Sequence, residues 1–259
     1  MDRDIIFFVG APGGGKTDAR RWIYQELGEG FDYQFVHDGK HLVDIVTEDE
    51  HAEDEYGEYH FHPNPESGAF CITTTYPADE MRKRMMEEIE GVEKGKLILV
   101  ELSGGIGDWY LEEKGDKEVD ISFARMIEQG FFTEEILKRA IFVEIETRDK
   151  YRIRWNARRE GQEPGKVDPR FTSFYVPQEA MDHLFAHDDF ADEGSLKSYL
   201  ESRGVPIVTV KNLGTKKEFE INSIEAARDI FRHLNEGSIQ REQQGGWCRE
   251  AGARRPECF

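Results

Sequence analysis

The residues best suited to chemistry stand close to the N-terminus, in a glycine-rich run. Eight of them fit the Walker A pattern G-x-x-x-x-G-K-[ST], namely Gly10, Ala11, Pro12, Gly13, Gly14, Gly15, Lys16 and Thr17. Glycines let the backbone curl so that successive N–H groups point inward at phosphate oxygens. Lys16 then reaches the outer phosphates, and the Thr17 hydroxyl ligates Mg²⁺. The pattern predicts a site for a nucleoside triphosphate with Mg²⁺, and we include Asp18 among the binding residues.

The segments on either side of this loop are those its chemistry requires. Residues 5–9 form a continuous apolar run, which is typical of a strand buried on both faces. Residues 17–27 carry apolar side chains at helical spacing, and Gly28 supplies a stop. A helix that starts at the loop aims the positive end of its dipole at the phosphates. These flanks disfavour the alternative of a glycine-rich turn without a ligand.

Glu101 is a second candidate, because it directly follows the apolar run at 97–100. P-loop proteins keep a carboxylate at the end of such a strand, where it holds Mg²⁺ or polarises an attacking group. Aspartate is more usual there. The longer Glu101 side chain therefore leaves two roles open, a metal holder with Thr17 or a base. The alternative is a strand-end glutamate without a role.

Asp38 is a third candidate and follows the predicted second strand at 33–36. Ligands of open α/β folds collect at this edge of the sheet. A carboxylate there accepts the proton of a substrate hydroxyl or steers that hydroxyl toward the γ-phosphate. The alternative is an N-cap of the following helix. His37, its neighbour, is the weaker candidate.

Arginines crowd one helix-length segment, and they are Arg148, Arg152, Arg154, Arg158 and Arg159. Arg154 and Arg158 are four residues apart and so share a helix face. Arginines above a phosphate site stabilise charge on the transferring phosphoryl group. We therefore assign Arg154 and Arg158 to catalysis. The alternative is that the segment is a solvated helix, in which neighbouring carboxylates pair with these arginines.

The rest of the chain alternates strands and helices, which predicts an α/β fold with a mainly parallel five-stranded sheet covered on both faces. The predicted strands are 5–9, 33–36, 97–100, 141–145 and 205–210. Residues 51–76 interrupt the alternation with strand formers around a turn, which predicts an inserted β-hairpin. We expect helices at 177–185 and 224–234, one domain over 1–235 and an unstructured tail at 236–259.

Composition narrows the classes of partner. The formal charge of −19 and the pI near 4.9 disfavour nucleic-acid binding, which relies on clustered Lys and Arg. The cysteines are Cys71, Cys248 and Cys258, a set that frames neither a disulfide scaffold nor a zinc site. No apolar stretch is long enough for a membrane span or a signal peptide. We expect a cytoplasmic protein that meets a small-molecule or nucleotide substrate, and the sequence is compatible with a homodimer.

The chain resembles the P-loop kinases of small molecules and nucleotides, that is, the adenylate-kinase-like and shikimate/gluconate-kinase-like group. The phosphate loop Gly10 to Thr17 is close to theirs, and Asp38 matches their acidic residue after the second strand. Arg154 to Arg158 is similar to their lid arginines, and Ser103-Gly104-Gly105 to the glycine pair that contacts substrate. The resemblance covers roughly residues 1 to 235.

What the resemblance implies is a P-loop NTPase fold with three α/β/α layers, a sheet ordered 2-3-1-4-5 and a helical lid that closes over ATP. We assign the lid and a helical insertion to residues 147–203. The hairpin at 51–76 and the stretch at 161–203 are not parts of the minimal kinase. The identity of the phosphoryl acceptor is therefore not carried over.

Three functions compete on this reading. The first is a phosphotransferase that moves the γ-phosphoryl group of Mg-ATP to a small molecule or nucleotide. The second is an ATPase that couples hydrolysis to a protein partner. A GTPase is disfavoured, because the guanine-reading pattern Asn-Lys-x-Asp is absent where the chain reads Lys211-Asn212-Leu213-Gly214. The third is a nucleotide-binding protein without turnover.

Overall fold

The structure is a computed structural model of the 259-residue chain. It describes residues 3–28, 31–56, 61–63, 70–72, 76–105, 121–157, 176, 181–182, 185, 188–190 and 196–244. Within these ranges, the backbone alone is described for 49–56, 61–63, 70–72 and 236–244.

A parallel sheet of five strands forms the centre of the fold, and a separate antiparallel pair forms a hairpin. In chain order the strands are β1 (Ile5–Val9), β2 (Tyr33–His37), β3 (Phe61–Pro63), β4 (Phe70–Ile72), β5 (Leu97–Leu102), β6 (Ala140–Thr147) and β7 (Ile207–Asn212). The central sheet runs in the order β2-β5-β1-β6-β7, and each pair of neighbours is parallel. The hairpin consists of β3 and β4. The predicted sheet order and inserted hairpin are therefore confirmed.

Helices cover both faces of the central sheet. The described helices are α1 (Lys16–Leu27), α2 (Asp38–Tyr56), α3 (Tyr76–Gly91), α4 (Phe123–Glu128), α5 (Glu134–Arg139), α6 (Asp149–Ala157), α7 (Leu196–Glu201) and α8 (Lys216–Gln244). One apolar cluster joins one face of the sheet to α2, α3, α4, α5 and α7, and the other cluster joins the opposite face to α1 and α8. The predicted three-layer α/β/α arrangement is confirmed.

The middle strand, β1, anchors the sheet in both apolar clusters. Side chains of β1 alternate between the two clusters, so that Phe7 enters one and Phe8 the other, and both are fully buried. The Phe7 ring stacks on that of Phe142 in the adjacent strand at a centroid distance of 4.9 Å. Burying one such ring stabilises the fold by about 2 kcal/mol. β1 is thereby fixed as the base from which the phosphate loop departs.

The inserted region differs from the prediction at its start. We predicted a hairpin insertion over 51–76, but α2 continues to Tyr56 and α3 already begins at Tyr76. The chain from 48 to 55 is rich in glutamate, a good helix former, which accounts for the extension of α2. The hairpin itself spans only the residues from Phe61 to Ile72.

The C-terminal helix is much longer than the predicted 224–234. A capping box starts it, because the Thr215 hydroxyl accepts from Glu218 N at 3.2 Å and the Glu218 carboxylate accepts from Thr215 N at 2.6 Å. The helix then continues to Gln244. The unstructured tail predicted from 236 is therefore wrong for residues 236–244, while 245–259 lie outside the described residues. Most of the predicted helix at 177–185 lies outside them as well.

The helices that the structure describes include no candidate for a membrane span. None of them combines the length and the apolar character that a membrane span requires.

Candidate active site

The phosphate loop connects the end of β1 to the start of α1. Gly10, Gly13 and Gly15 adopt φ angles of +140°, +77° and +100°, which side chains other than glycine rarely adopt. Space imposes the same requirement at Gly13, where a Cβ would collide with the backbone carbonyl of Arg152. The loop thus curls tightly and delivers its amides to the N-terminus of α1, the arrangement that binds phosphate.

The far end of the chain braces this loop. Asn212, at the end of β7, donates a hydrogen bond from Nδ2 to the Gly14 carbonyl at 2.7 Å, and its side chain is buried. The Phe219 ring of α8 packs beneath Gly15, where a Cβ would lie 2.8 Å from the ring. Neither residue was predicted to belong to the site. Their contacts depend on strand order, which the local sequence does not show.

Lys16 lies inside the curve of the loop. Its ammonium group donates to the carbonyl of Gly10 at 2.7 Å and to that of Ala11 at 3.2 Å, and its side chain is buried. Its positive charge also lowers the pKa values of Asp38 and Glu101. The structure therefore places Lys16 at the phosphate loop, within electrostatic reach of both predicted carboxylates.

Glu101 occupies the end of β5, in register with Phe8 of β1 and His37 of β2. The Thr17 hydroxyl donates to Glu101 Oε2 at 3.1 Å, and Glu101 Oε1 lies 2.9 Å from Arg20 Nε. Burial raises the pKa of Glu101, but the positive charges of Arg20 and His37 lower it to about 2. So acidic a carboxyl is a weak base, and this favours the metal-holding role over the base role.

Asp38 begins α2 and is held by two backbone amides. Its Oδ2 atom accepts from Ser103 N at 2.7 Å, and its Oδ1 atom accepts from Gly39 N, also at 2.7 Å. Burial raises the pKa of Asp38, but contacts with His37 and the charge of Lys16 hold it far below its usual range. Asp38 therefore fixes the turn after β5 as well as the start of α2.

His37 bridges the two carboxylates. Its Nδ1 atom lies 3.1 Å from Asp38 Oδ1, and its Nε2 atom lies 3.2 Å from Glu101 Oε2. Burial lowers the pKa of His37, but the two carboxylates raise it to about 9. The two carboxylates thus favour the protonated imidazole. Together with Arg20 it balances the charge of two buried carboxylates.

The arginine segment presents a different residue to the loop from those predicted. Arg152 of α6 is almost fully buried, and its backbone carbonyl and side chain pack on Gly13. Asn156, one turn later, is also buried and exchanges two hydrogen bonds with the backbone of Val176. Arg154 is exposed, and Arg158 lies outside the described residues. Their catalytic roles stay predictions, whereas Arg152 contacts the loop directly.

Two aspartates within the predicted lid and insertion segment, 147–203, contact the phosphate loop and the start of α4. Asp188 accepts a hydrogen bond from Ala11 N in the phosphate loop at 2.9 Å. Asp189 accepts one from Phe123 N, at the start of α4, at 2.7 Å. Burial raises the pKa of Asp189 to about 6, and the charge of Asp188 adds to the rise. Sequence reasoning missed both residues because no motif marks them.

The residues present fit a magnesium ion. Thr17 and Glu101 supply a hydroxyl and a carboxylate oxygen 3.1 Å apart, and oxygen ligands of this kind are those that Mg²⁺ prefers. Mg²⁺ keeps several waters and phosphate oxygens, so it requires few protein ligands. Elsewhere in the described parts of the chain, no group of three His, Cys, Asp or Glu side chains is placed to hold a metal.

The phosphate loop follows the central strand, and the sheet order β2-β5-β1-β6-β7 corresponds to 2-3-1-4-5 when its five strands are counted along the chain. This is a P-loop NTPase fold. No protein-family model matches the sequence, and no curated protein is significantly similar to it. The P-loop fold is therefore established by topology and by the loop itself.

Solved structures with similarity to this P-loop chain include several kinases. Shikimate kinase from Acinetobacter baumannii, in complex with shikimate, is 13% identical with a TM-score of 0.42, over 92% of this chain and 96% of that one. Dephospho-CoA kinase from Campylobacter jejuni is 11% identical with a TM-score of 0.38, over 90% and 99%. TT1252 from Thermus thermophilus is 11% identical with a TM-score of 0.44, over 90% and 98%. Likenesses this distant assign no substrate.

Proposed function

We propose that the protein is a phosphotransferase that moves the γ-phosphoryl group of Mg-ATP to a small-molecule or nucleotide acceptor. One observation carries the proposal. An unbroken series of contacts runs from the Thr17 hydroxyl through Glu101 and His37 to Asp38, with steps of 3.1, 3.2 and 3.1 Å. A carboxylate thus stands beside the phosphate loop at the edge where an acceptor enters an open α/β sheet.

The phosphate side of the site would hold and orient the nucleotide. The amides of the loop and the Lys16 ammonium bind the β- and γ-phosphates, and Thr17 with Glu101 holds the metal. When bound, Mg²⁺ neutralises charge on the phosphates and aligns them. Arg152 of α6, which packs on Gly13, would face that charge.

The acceptor side would orient a hydroxyl or a phosphate oxygen. Since the pKa of Asp38 is far below its usual range, Asp38 is a weak base. Phosphoryl transfer through a loose transition state needs positioning more than proton abstraction. Asp38 therefore accepts a hydrogen bond from the acceptor hydroxyl and takes its proton late, as the new oxygen–phosphorus bond forms.

The test is acceptor-dependent turnover by the full chain. Purified protein is incubated with Mg-ATP and a panel of nucleosides, nucleotides and sugar acids, and ADP is measured against an acceptor-free blank. We expect at least one acceptor to raise the rate of ADP formation, and we expect Lys16→Ala to abolish it. Hydrolysis that no acceptor changes but a protein partner stimulates would decide for a partner-coupled ATPase. Nucleotide binding without any turnover would leave only a binding protein.

A further inference from the structure

Asp188 is a carboxylate that the proposed reaction does not use. Its Oδ2 atom accepts from Ala11 N at 2.9 Å, and its Oδ1 atom accepts from Phe190 N at 3.1 Å. Gly10 leaves room for it, since a Cβ there would lie 3.3 Å from Asp188 Oδ2. Main-chain donors on both oxygens therefore fix a negative charge against the first turn of a loop built to receive phosphate.

The positive charges of Lys16 and Arg152 act on this carboxylate. Burial raises the pKa of Asp188 above its ordinary value, and the hydrogen bonds from Ala11 and Phe190 with the charges of Lys16 and Arg152 offset the rise only in part. Asp189 is the neighbouring acid, and its carboxylate accepts from Phe123 N at 2.7 Å. Lys16 and Arg152 carry the positive charges that would attract a triphosphate. Asp188 and the nucleotide would therefore interact with the same two side chains.

We propose that Asp188 sets the affinity of the nucleotide site, as a fixed counter-charge that weakens triphosphate binding to the loop. The inference rests on the proposed nucleotide-binding function. Like charges repel strongly in a partly buried space, where salt screens them little. Because ATP carries one more phosphate than ADP, the repulsion acts more on ATP. Asp188 thereby reduces the ratio of the affinity for ATP to the affinity for ADP.

A purely structural role for Asp188 makes a different prediction. If the side chain only accepts the Ala11 N–H and so shapes the loop, an asparagine does the same with its carbonyl oxygen. Nucleotide affinity would then stay unchanged. If the charge matters, the same substitution keeps the hydrogen bond from Ala11 N, gives up the one from Phe190 N and removes the repulsion, and nucleotide affinity rises.

The experiment is calorimetric titration of the full chain, in magnesium buffer, with a nonhydrolysable ATP analogue and with ADP. We expect Asp188→Asn to bind the analogue about 10-fold tighter than the wild type and to tighten ADP binding by a smaller factor. The matched control is Glu225→Gln, which removes one exposed charge of α8 and should leave both affinities unchanged.

Each possible result of the titration either supports or overturns the role proposed for Asp188. Affinity of Asp188→Asn that equals or falls below that of the wild type overturns the inference and leaves the proposed function intact. Thermal unfolding verifies that the variant is folded, and Asp188→Ser replaces it if it is not, with the same expectation. Failure of both variants to fold shows a structural requirement and also overturns the inference. Absence of binding by wild type and variants alike overturns the proposed function, and this inference with it.

Discussion

The phosphate loop and the carboxylate cluster of Arg20, His37, Asp38 and Glu101 meet at Thr17, but they are built from different groups. The loop presents main-chain amides, and its shape depends on glycines with positive φ. The cluster consists of charged side chains from α1, β2, α2 and β5, all largely removed from solvent. Damage to the loop therefore comes from adding atoms, whereas damage to the cluster comes from removing one charge and leaving its partners uncompensated.

The largest effect is expected from Arg20→Met, which strips a guanidinium from the cluster. Arg20 and Glu101 expose only 1% and 2% of their surface, so the variant leaves a buried carboxylate without its cation. We expect the free energy of unfolding to fall by about 3 to 5 kcal/mol in urea denaturation. The double variant Arg20→Met, Glu101→Gln should recover part of the loss. A loss in the double variant that equals the sum of the losses in Arg20→Met and Glu101→Gln would show that the two charges are not coupled.

On the loop side, Gly13→Ala adds one methyl group. The positive φ and the nearby Arg152 carbonyl leave no room for it, so the loop must shift away from α6. Displacements of this size cost about 100-fold in rate, and we expect a loss of that order in kcat/KM for ATP. Gly91→Ala is the matched control, because nothing lies within 4 Å of a Cβ at Gly91. A wild-type rate for Gly13→Ala would mean that the loop does not require its observed shape.

The variant Asp38→Asn tests whether Asp38 acts on the acceptor or on the nucleotide. The variant keeps an oxygen for Ser103 N but loses the charge that orients the acceptor. We expect the acceptor-dependent rate to fall by about 10- to 100-fold. The Kd for a nonhydrolysable ATP analogue should change by less than about 3-fold, because Lys16 and the loop amides are untouched. Equal losses in binding and rate would instead assign Asp38 to the nucleotide.

The smallest effect concerns pH and Asp189, which follows Asp188 in the chain and accepts from Phe123 N. Burial raises the pKa of Asp189 from 3.8 to about 6, so protonated Asp189 stabilises the fold below about pH 4 and this stability is lost as pH rises through 6. Asp189→Asn removes the titration and keeps an acceptor for Phe123 N. We expect the variant to gain about 2 kcal/mol over the wild type between pH 4 and pH 7. Parallel stability curves would show an ordinary pKa.

The two regions also differ in how far the sequence predicts them. The loop is local, so the pattern from Gly10 to Thr17 and its flanks predicted both its site and the strand before it. The pairing of Arg20 with Glu101 depends on the phase of α1 and on the register of β1 and β5, which no spacing reveals. Arg154 and Arg158 were predicted because they are four residues apart, but Arg148 and Arg152 have the same spacing, so the sequence does not single out Arg152.

The sequence also contains a signal for the start of α8. Thr215 and Glu218 form the S/T-x-x-E/Q pattern of a capping box, which would have placed the start of α8 eight residues earlier than predicted. Asp188 and Asp189 carried no such signal. Their contacts with Ala11 and Phe123 join segments that are distant along the chain, so they follow from the fold as a whole.

The hydrogen bond from Asn212 to Gly14 joins residues 198 positions apart. During synthesis on a ribosome, the glycine loop therefore emerges long before the strand that braces it. A chain interrupted before β7 would carry the complete phosphate-binding motif without the support of Asn212 or the Phe219 ring. The loop would then gain its full support only after β7 and the start of α8 have been made.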